Sequence, residues 1–171
     1  MAFVPHTPHL GLPKIADTLP ASSIAGRSTP GPWLGDIIRT QDPVYGSGEF
    51  IFLAGAANTV VGSWVTYNAD DFSTTLLAPD AIGPVAVAMS ANVAGQYGWY
   101  QISGKAIGRV AAGFVDNANV YATATAGVVD DAVVAGDRVK NAKGASAIGV
   151  PSAGLAEFEI SRPFVDDALA A

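Results

Sequence analysis

The alternation of apolar and polar positions changes character near residue 45. From Gly46 onward, short β-rich runs are separated by turn residues. Glu49-Phe50-Ile51-Phe52-Leu53 lies between Gly46, Gly48 and Gly55, and Val60 to Tyr67 alternates until Asn68-Ala69-Asp70-Asp71 stops it. Phe72 to Leu77 is closed by Pro79-Asp80. Gly83 to Ser90 carries Pro84 near its start, where a strand tolerates a missing backbone donor. Further runs are Tyr97 to Gly104, Ala106 to Phe114, which continues that run or pairs with it, Val120 to Thr125, Val133 to Val139 and Leu155 to Arg162. Short runs with this punctuation predict an all-β fold, a small β-barrel or sandwich. Ala91 to Ala94 and Asp166 to Ala170 predict no more than single helical turns.

Residues 1–44 follow a different rule. Seven of the eleven prolines fall there, at 5, 8, 13, 20, 30, 32 and 43. Proline removes backbone donors and interrupts regular ladders. The segment is nevertheless rich in large apolar side chains, which a free linker does not need. The expected division is an extended Pro-rich N-terminal arm over 1–44, a β-barrel or sandwich domain over 45–165 and a short C-terminal tail over 166–171. The arm's expected interface residues are Leu10, Leu12, Ile15, Trp33, Leu34, Ile37 and Ile38, docking on a neighbouring copy or another protein. An arm that wraps its own domain is the alternative.

Composition narrows the function classes. Hydrophobic residues make up 50% of the 171 and charged residues 14%, the reverse of a disordered chain. So few charges on a folded chain suggest that part of its surface faces another protein. The formal net charge of −6 leaves no basic stripe for phosphates and no polybasic membrane patch, so neither direct nucleic-acid binding nor membrane attachment is expected. No run of 18 apolar residues is free of polar breaks. The opening Met1-Ala2-Phe3-Val4-Pro5-His6 lacks the basic-then-apolar order of a secretory leader, and the expectation is a protein used without secretion. With no cysteine, disulfides, thiolate nucleophiles and Cys-based zinc sites are excluded.

Candidate chemistry is sparse. His6 and His9 are the two histidines, and the prolines at 5 and 8 disfavour the helical turn that would let them share a metal. No Gly-x-Ser-x-Gly elbow occurs. The doublets Asp70-Asp71, Asp130-Asp131 and Asp166-Asp167 sit beside turns or in the tail, where Asp bonds its own backbone. Neighbours on a strand point to opposite faces, so a doublet is not a carboxylate pair. Gly46-Ser47-Gly48 enters a strand rather than a helix and is not a phosphate loop. Tyr97 and Trp99 share one strand face and Tyr100 takes the other, as core or subunit interface. These features predict no enzyme and no cofactor.

Several segments together carry a resemblance. Tyr45-Gly46-Ser47-Gly48-Glu49-Phe50-Ile51-Phe52-Leu53 resembles the opening strand of small tailed-bacteriophage virion proteins of the head-decoration, or cement, kind. Gly83 to Ser90 with Gln96 to Ile102, Thr125 to Asp131 with Gly136 to Val139, and Ile160-Ser161-Arg162-Pro163-Phe164 are similar to later parts of the same proteins. The resemblance covers roughly residues 45–165. It implies a β-rich protein on the outer surface of an icosahedral head, made in the host cytoplasm. It further implies a homotrimer that clamps major capsid protein subunits and has no catalytic residues. The alternatives are another virion component (tail tube, head–tail connector or minor capsid protein) or a small carbohydrate-binding β-domain.

Overall fold

The computed structural model describes residues 4–5, 11–24 and 31–166. The strands are β1 (Val4–Pro5), β2 (Thr18–Pro20), β3 (Ile37–Asp42), β4 (Gly46–Ala54), β5 (Trp64–Tyr67), β6 (Thr74–Leu76), β7 (Ile82–Ala88), β8 (Gln96–Arg109), β9 (Asn119–Ala122), β10 (Val129–Asp130), β11 (Arg138–Gly144) and β12 (Leu155–Asp166). A single 3₁₀ turn, Ala21–Ser23, is the helical element among the described residues. The fold is all-β: one large, unclosed antiparallel sheet in a sandwich-like arrangement. Its order is β1-β3-β4-β8-β7-β12-β11-β9-β10.

β8 is the spine. One of its edges pairs with β4 from Tyr97 to Ser103. Along its other edge lie β2 at Gln96–Gly98, β7 at Tyr100 and Gln101, and β12 from Ser103 to Arg109. β12 serves two partners in turn. Leu155 to Ser161 pair with β8, and Phe164 to Asp166 pair with β7. The switch falls at Arg162, held at φ +48°, and Pro163, which has no N–H to give a ladder. A positive φ on a non-glycine residue is costly and persists only where surrounding structure fixes it. Here the strands on both sides fix it.

A second irregularity sits in β8 at Gly104, with φ +97°. A Cβ there would lie 2.3 Å from the carbonyl oxygen of Ser47, so β4 and β8 approach closely only because this residue is glycine. The β4–β8 register slips between Glu49 and Phe50, next to this point.

The core forms three clusters. Trp64, Phe114, Val139, Phe158 and their neighbours fill the C-terminal half. Trp64 meets Phe158 edge-on with centroids 4.8 Å apart, and Phe114 lies 5.3 Å from Phe158. The other two clusters lie on opposite faces of β4 and β8. Ile51, Leu53, Tyr100 and Ile102 pack with Val65, Ala86 and Ala88 on one face. Phe50, Phe52 and Trp99 pack with Ile15, Ile24, Ile38 and Met89 on the other. Strict alternation thus buries both faces of β4, which explains its unbroken apolar run Phe50–Leu53.

Some expected elements differ. Val60 to Ser63 forms a turn, and only Trp64–Tyr67 is strand. Ala106–Arg109 continues β8, the first of the two readings of that run, but the strand ends at Arg109 and does not reach Phe114. Val133 to Asp137 is loop, and the strand there runs through Arg138–Gly144. Ala91 to Ala94 is not helical, and Asp166 ends β12, while 167–170 lie outside the described residues. The arm boundary at 44 falls inside the β3–β4 turn. β3 pairs with β4 from Ile37↔Ile51 to Asp42↔Gly46, and β2 pairs with β8. Its described residues are therefore sheet strands and cover of their own domain.

Candidate interaction surface

The seven interface residues expected from sequence divide by position. Leu10 lies outside the described residues. Ile15 and Ile38 are buried in the cluster around Phe50 and Trp99, and Leu12 and Leu34 pack half-buried against it. Within the chain these four residues serve the intramolecular core. Trp33 and Ile37 stay exposed, at 57% and 46% of their surface. A turn holds them close together: the Trp33 N–H donates to Asp36 Oδ2 at 2.8 Å, and the Asp36 N–H donates to the Trp33 carbonyl at 3.1 Å.

β3 alternates along its length, with Ile37, Arg39 and Gln41 outward and Ile38, Thr40 and Asp42 buried. The outward side chains lead from Ile37 into a shallow cleft of about 430 Å³ lined by Arg39, Ser47, Gly48, Glu49 and Ser103. Glu49 sits between two guanidiniums. Arg39 Nε donates to Oε1 at 2.8 Å, and Arg162 Nη2 donates to Oε2 at 3.0 Å. The Arg39 bond, aided by Arg162, holds the Glu49 carboxyl below its ordinary value, against some opposition from burial. Ser47 Oγ donates to Gln41 Oε1 at 2.8 Å beside it. Two guanidiniums share the one carboxylate, so the cluster at this cleft holds fixed polar contacts and a net positive charge. Val44, 78% exposed, marks the tip of the β3–β4 hairpin.

A second apolar surface was not among the residues singled out from sequence. Val115, Val133, Val134 and Val150 are exposed on three loops beyond the C-terminal cluster. The loops are tied together: the Val115 N–H donates to Asp131 Oδ2 at 3.1 Å, and the Ile148 N–H donates to the Phe114 carbonyl at 3.0 Å. Four valines on loops, where packing does not require them, are the available sequence signal. The strand expected over Val133–Val139 obscured it.

The acidic doublets make turn bonds and, at Asp131 and Asp166, ties to other segments. Asp71 Oδ1 accepts from the Ser73 N–H and hydroxyl at 2.9 and 2.7 Å, and those bonds hold its pKa low. Asp130 Oδ1 accepts from the Asp131 N–H at 2.8 Å. Asp166 is paired with Lys140, and Asp167 lies outside the described residues. No group of three His, Cys, Asp or Glu side chains is arranged for a metal among the described residues; His6 and His9 fall outside them. No helix among the described residues is long and apolar enough to cross a membrane.

The aromatic run on β8 is core. Trp99 is fully buried, 5.0 Å from Phe52, and Tyr100 is fully buried on the opposite face. Burial raises the pKa of Tyr100, partly opposed by the nearby polar groups of Thr74, Asn92 and Thr59. No well-formed hydrogen bond reaches its hydroxyl or the Asn92 amide. Asn92 is clamped against β8: a Cβ on Gly98 would stand 2.2 Å from its Nδ2.

No family model, no curated protein and no solved structure matches the chain.

Proposed function

We propose that this protein is a virion structural protein. In this reading it is a capsid decoration (cement) protein, bound outside an icosahedral phage head as a homo-oligomer, a trimer by the resemblance. It stabilises contacts between major capsid protein subunits there. The observation that carries the reading is the distribution of exposed apolar side chains. Trp33, Ile37 and Val44 project along the β3 side, and Val115, Val133, Val134 and Val150 project from the far loops. Exposed apolar side chains toward both ends of the strand order, with Val60, Val61, Ile82 and Val93 exposed between them, suit a protein that touches more than one neighbour, where affinity comes from many repeated contacts. The resemblance of residues 45–165 to head-decoration proteins supports the same reading.

Reconstruction of purified particles by electron microscopy tests it. The expected result is this chain as an external lattice over the head, with the purified protein rebinding stripped heads and raising their resistance to heat. A position in the tail or connector, or absence from the particle, overturns it.

A further inference from the structure

We infer that residues 11–24 are an exchangeable cover, and that in the homo-oligomer each copy lays this segment across the sheet of a neighbour. The inference rests on the homo-oligomer of the proposed function and not on its place on a virion. It specifies which segment crosses, which groove receives it and what the contact consists of.

The first observation is how the segment is held. It contributes Ile15 and Ile24, with Leu12 and Leu19 half-buried, to the cluster on one face of β4 and β8. It contributes nothing to the other two clusters. Its backbone ties to the rest of the fold are short: the β2 ladder of Thr18–Pro20 against Gln96–Gly98, the Ala21 N–H to the Gly95 carbonyl, and Ser90 Oγ to the Asp17 carbonyl at 3.4 Å. The Lys14–Asp17 turn otherwise bonds within the segment. Elements attached through one face and a short ladder are the ones that open without global unfolding. The chain before it is tied at β1, whose two rungs Val4↔Gln41 and Pro5↔Thr40 on β3 must open and cross with the segment. Detachment then leaves β3–β12 and two clusters intact.

The second observation concerns the groove. Phe50, Phe52, Met89 and Trp99 stay on the sheet when the segment leaves, and such an apolar face demands a cover. The matching cover on every copy is the same segment, because the same side chains fill the same holes whether they arrive from the same chain or from another. Exchange therefore conserves every contact and adds those of the new interface, which makes it a low-cost route to an assembly.

The third observation is reach. Between Ile24 and Pro32 lie seven residues, which span at most about 25 Å. A receiving groove must then lie close to Pro32. The residues that immediately follow, Trp33 and Ile37, are the exposed apolar side chains of this region. A neighbour close enough to receive the segment also covers them. Exchange thus accounts for both the detachable cover and the exposed pair beside its connector.

The chain has no cysteine, so introduced cysteines report on pairing without background. Leu19 and Tyr97 are direct partners across the β2–β8 ladder. Antiparallel partners lie within the range a disulfide can bridge. The full-length double variant Leu19→Cys with Tyr97→Cys is oxidised at high concentration and run on a non-reducing gel. Interchain bonds are expected, giving covalent species above monomer mass that end at a closed ring. The single variants should give none. A second pair, Pro20→Cys with Gln96→Cys, sits at a more exposed rung and provides the same readout should the first pair not fold. Ile37→Asp in the same background is expected to shift bonds from between chains to within one chain. Exclusively intrachain bonds in both pairs overturn the exchange. If sedimentation still shows an oligomer, the homo-oligomer stands without it, and the virion reading is decided separately by particle binding.

Discussion

The cover formed by residues 11–24 and the C-terminal half around Phe158 both bury large apolar side chains, yet they are built on different principles. Around Phe158, β12 pairs with β8 over seven rungs and also with β7 and β11, β9 and β10 follow, and the bridge Val110↔Val129 ties β10 back to the chain just after β8. Burial and backbone pairing there are inseparable. The cover is also buried at Ile15 and Ile24, each 7% exposed against 0% for Phe158, but its ladder pairing is through β2 alone. Depth of burial therefore does not reveal which part of a chain is structurally obligatory. The number of ladders that must break before a side chain is released does.

The sharpest way to break this comparison is truncation. Removal of residues 1–24 should leave a cooperatively folding sheet that binds a hydrophobic dye through the exposed Phe50, Phe52 and Trp99 face. Removal of residues 1–42 also deletes β3, its full ladder with β4 and Ile38, and should abolish folding or give aggregates. Circular dichroism melts and gel filtration distinguish the two. If both truncations unfold, the cover is as obligatory as β3.

Next in size are core truncations on the two sides. Phe158→Ala empties a site enclosed by Trp64 and Phe114 and should cost about 3–5 kcal/mol in urea unfolding. Ile15→Ala should cost at the lower end of its class, about 2 kcal/mol, because part of its loss is met by local opening. Hydrogen exchange should then accelerate at Thr18–Pro20 and Gln96–Gly98 before the rest of β8. An Ile15→Ala effect equal to that of Phe158→Ala would erase the distinction.

The sequence carried the β class plainly, since alternation and glycine–proline punctuation are local. It also placed Tyr97, Trp99 and Tyr100 on the correct faces of β8. What it did not carry was pairing. Ile37-Ile38-Arg39-Thr40 lies among prolines and reads as arm, but its alternation is completed by the partner strand β4, a non-local fact. The same holds for Lys140 to Gly144, whose polar and small residues have weak strand preference and become strand because β9 and β12 flank them. Of the interface residues, exposure separates Trp33 and Ile37 from Ile15 and Ile38, and only the fold decides which apolar residues find cover at home.

A smaller effect concerns Tyr100, on the face of β4 and β8 opposite the cover. Burial raises its pKa above the ordinary 10.0. The unfolded chain ionises this phenol first, so stability is full below about pH 10 and falls as pH rises toward the folded value. Tyr100→Phe removes the titration and also a buried hydroxyl without a well-formed hydrogen bond. The variant should match the wild type within about 1 kcal/mol at pH 7 and lose less stability between pH 9 and 11. Parallel alkaline profiles for the two proteins would show that Tyr100 is not the group responsible.

The smallest expected effect is at Glu49, where β3, β4 and β12 meet at the surface. Its lowered pKa means that the folded state holds the ionised form more firmly than the unfolded chain does. The stabilisation is present above the ordinary value of 4.5 and is lost as pH falls through the folded value. Both partners are well exposed, Arg39 at 76% and Arg162 at 62%, so solvent screens the pairs strongly. Exposed ion pairs contribute about 0.2–1 kcal/mol, and this bridge should fall in that range. Glu49→Gln should lower stability by that amount at pH 7 in low salt, by less in 1 M salt, and by progressively less as pH falls through the folded value, where the wild-type carboxyl is itself protonated. A loss that persists undiminished on acidification and in high salt would mean that Glu49 holds β3 against β4 through packing of its stem rather than through charge. The attachment of β3 would then join the ladder-built part of the molecule on steric grounds alone.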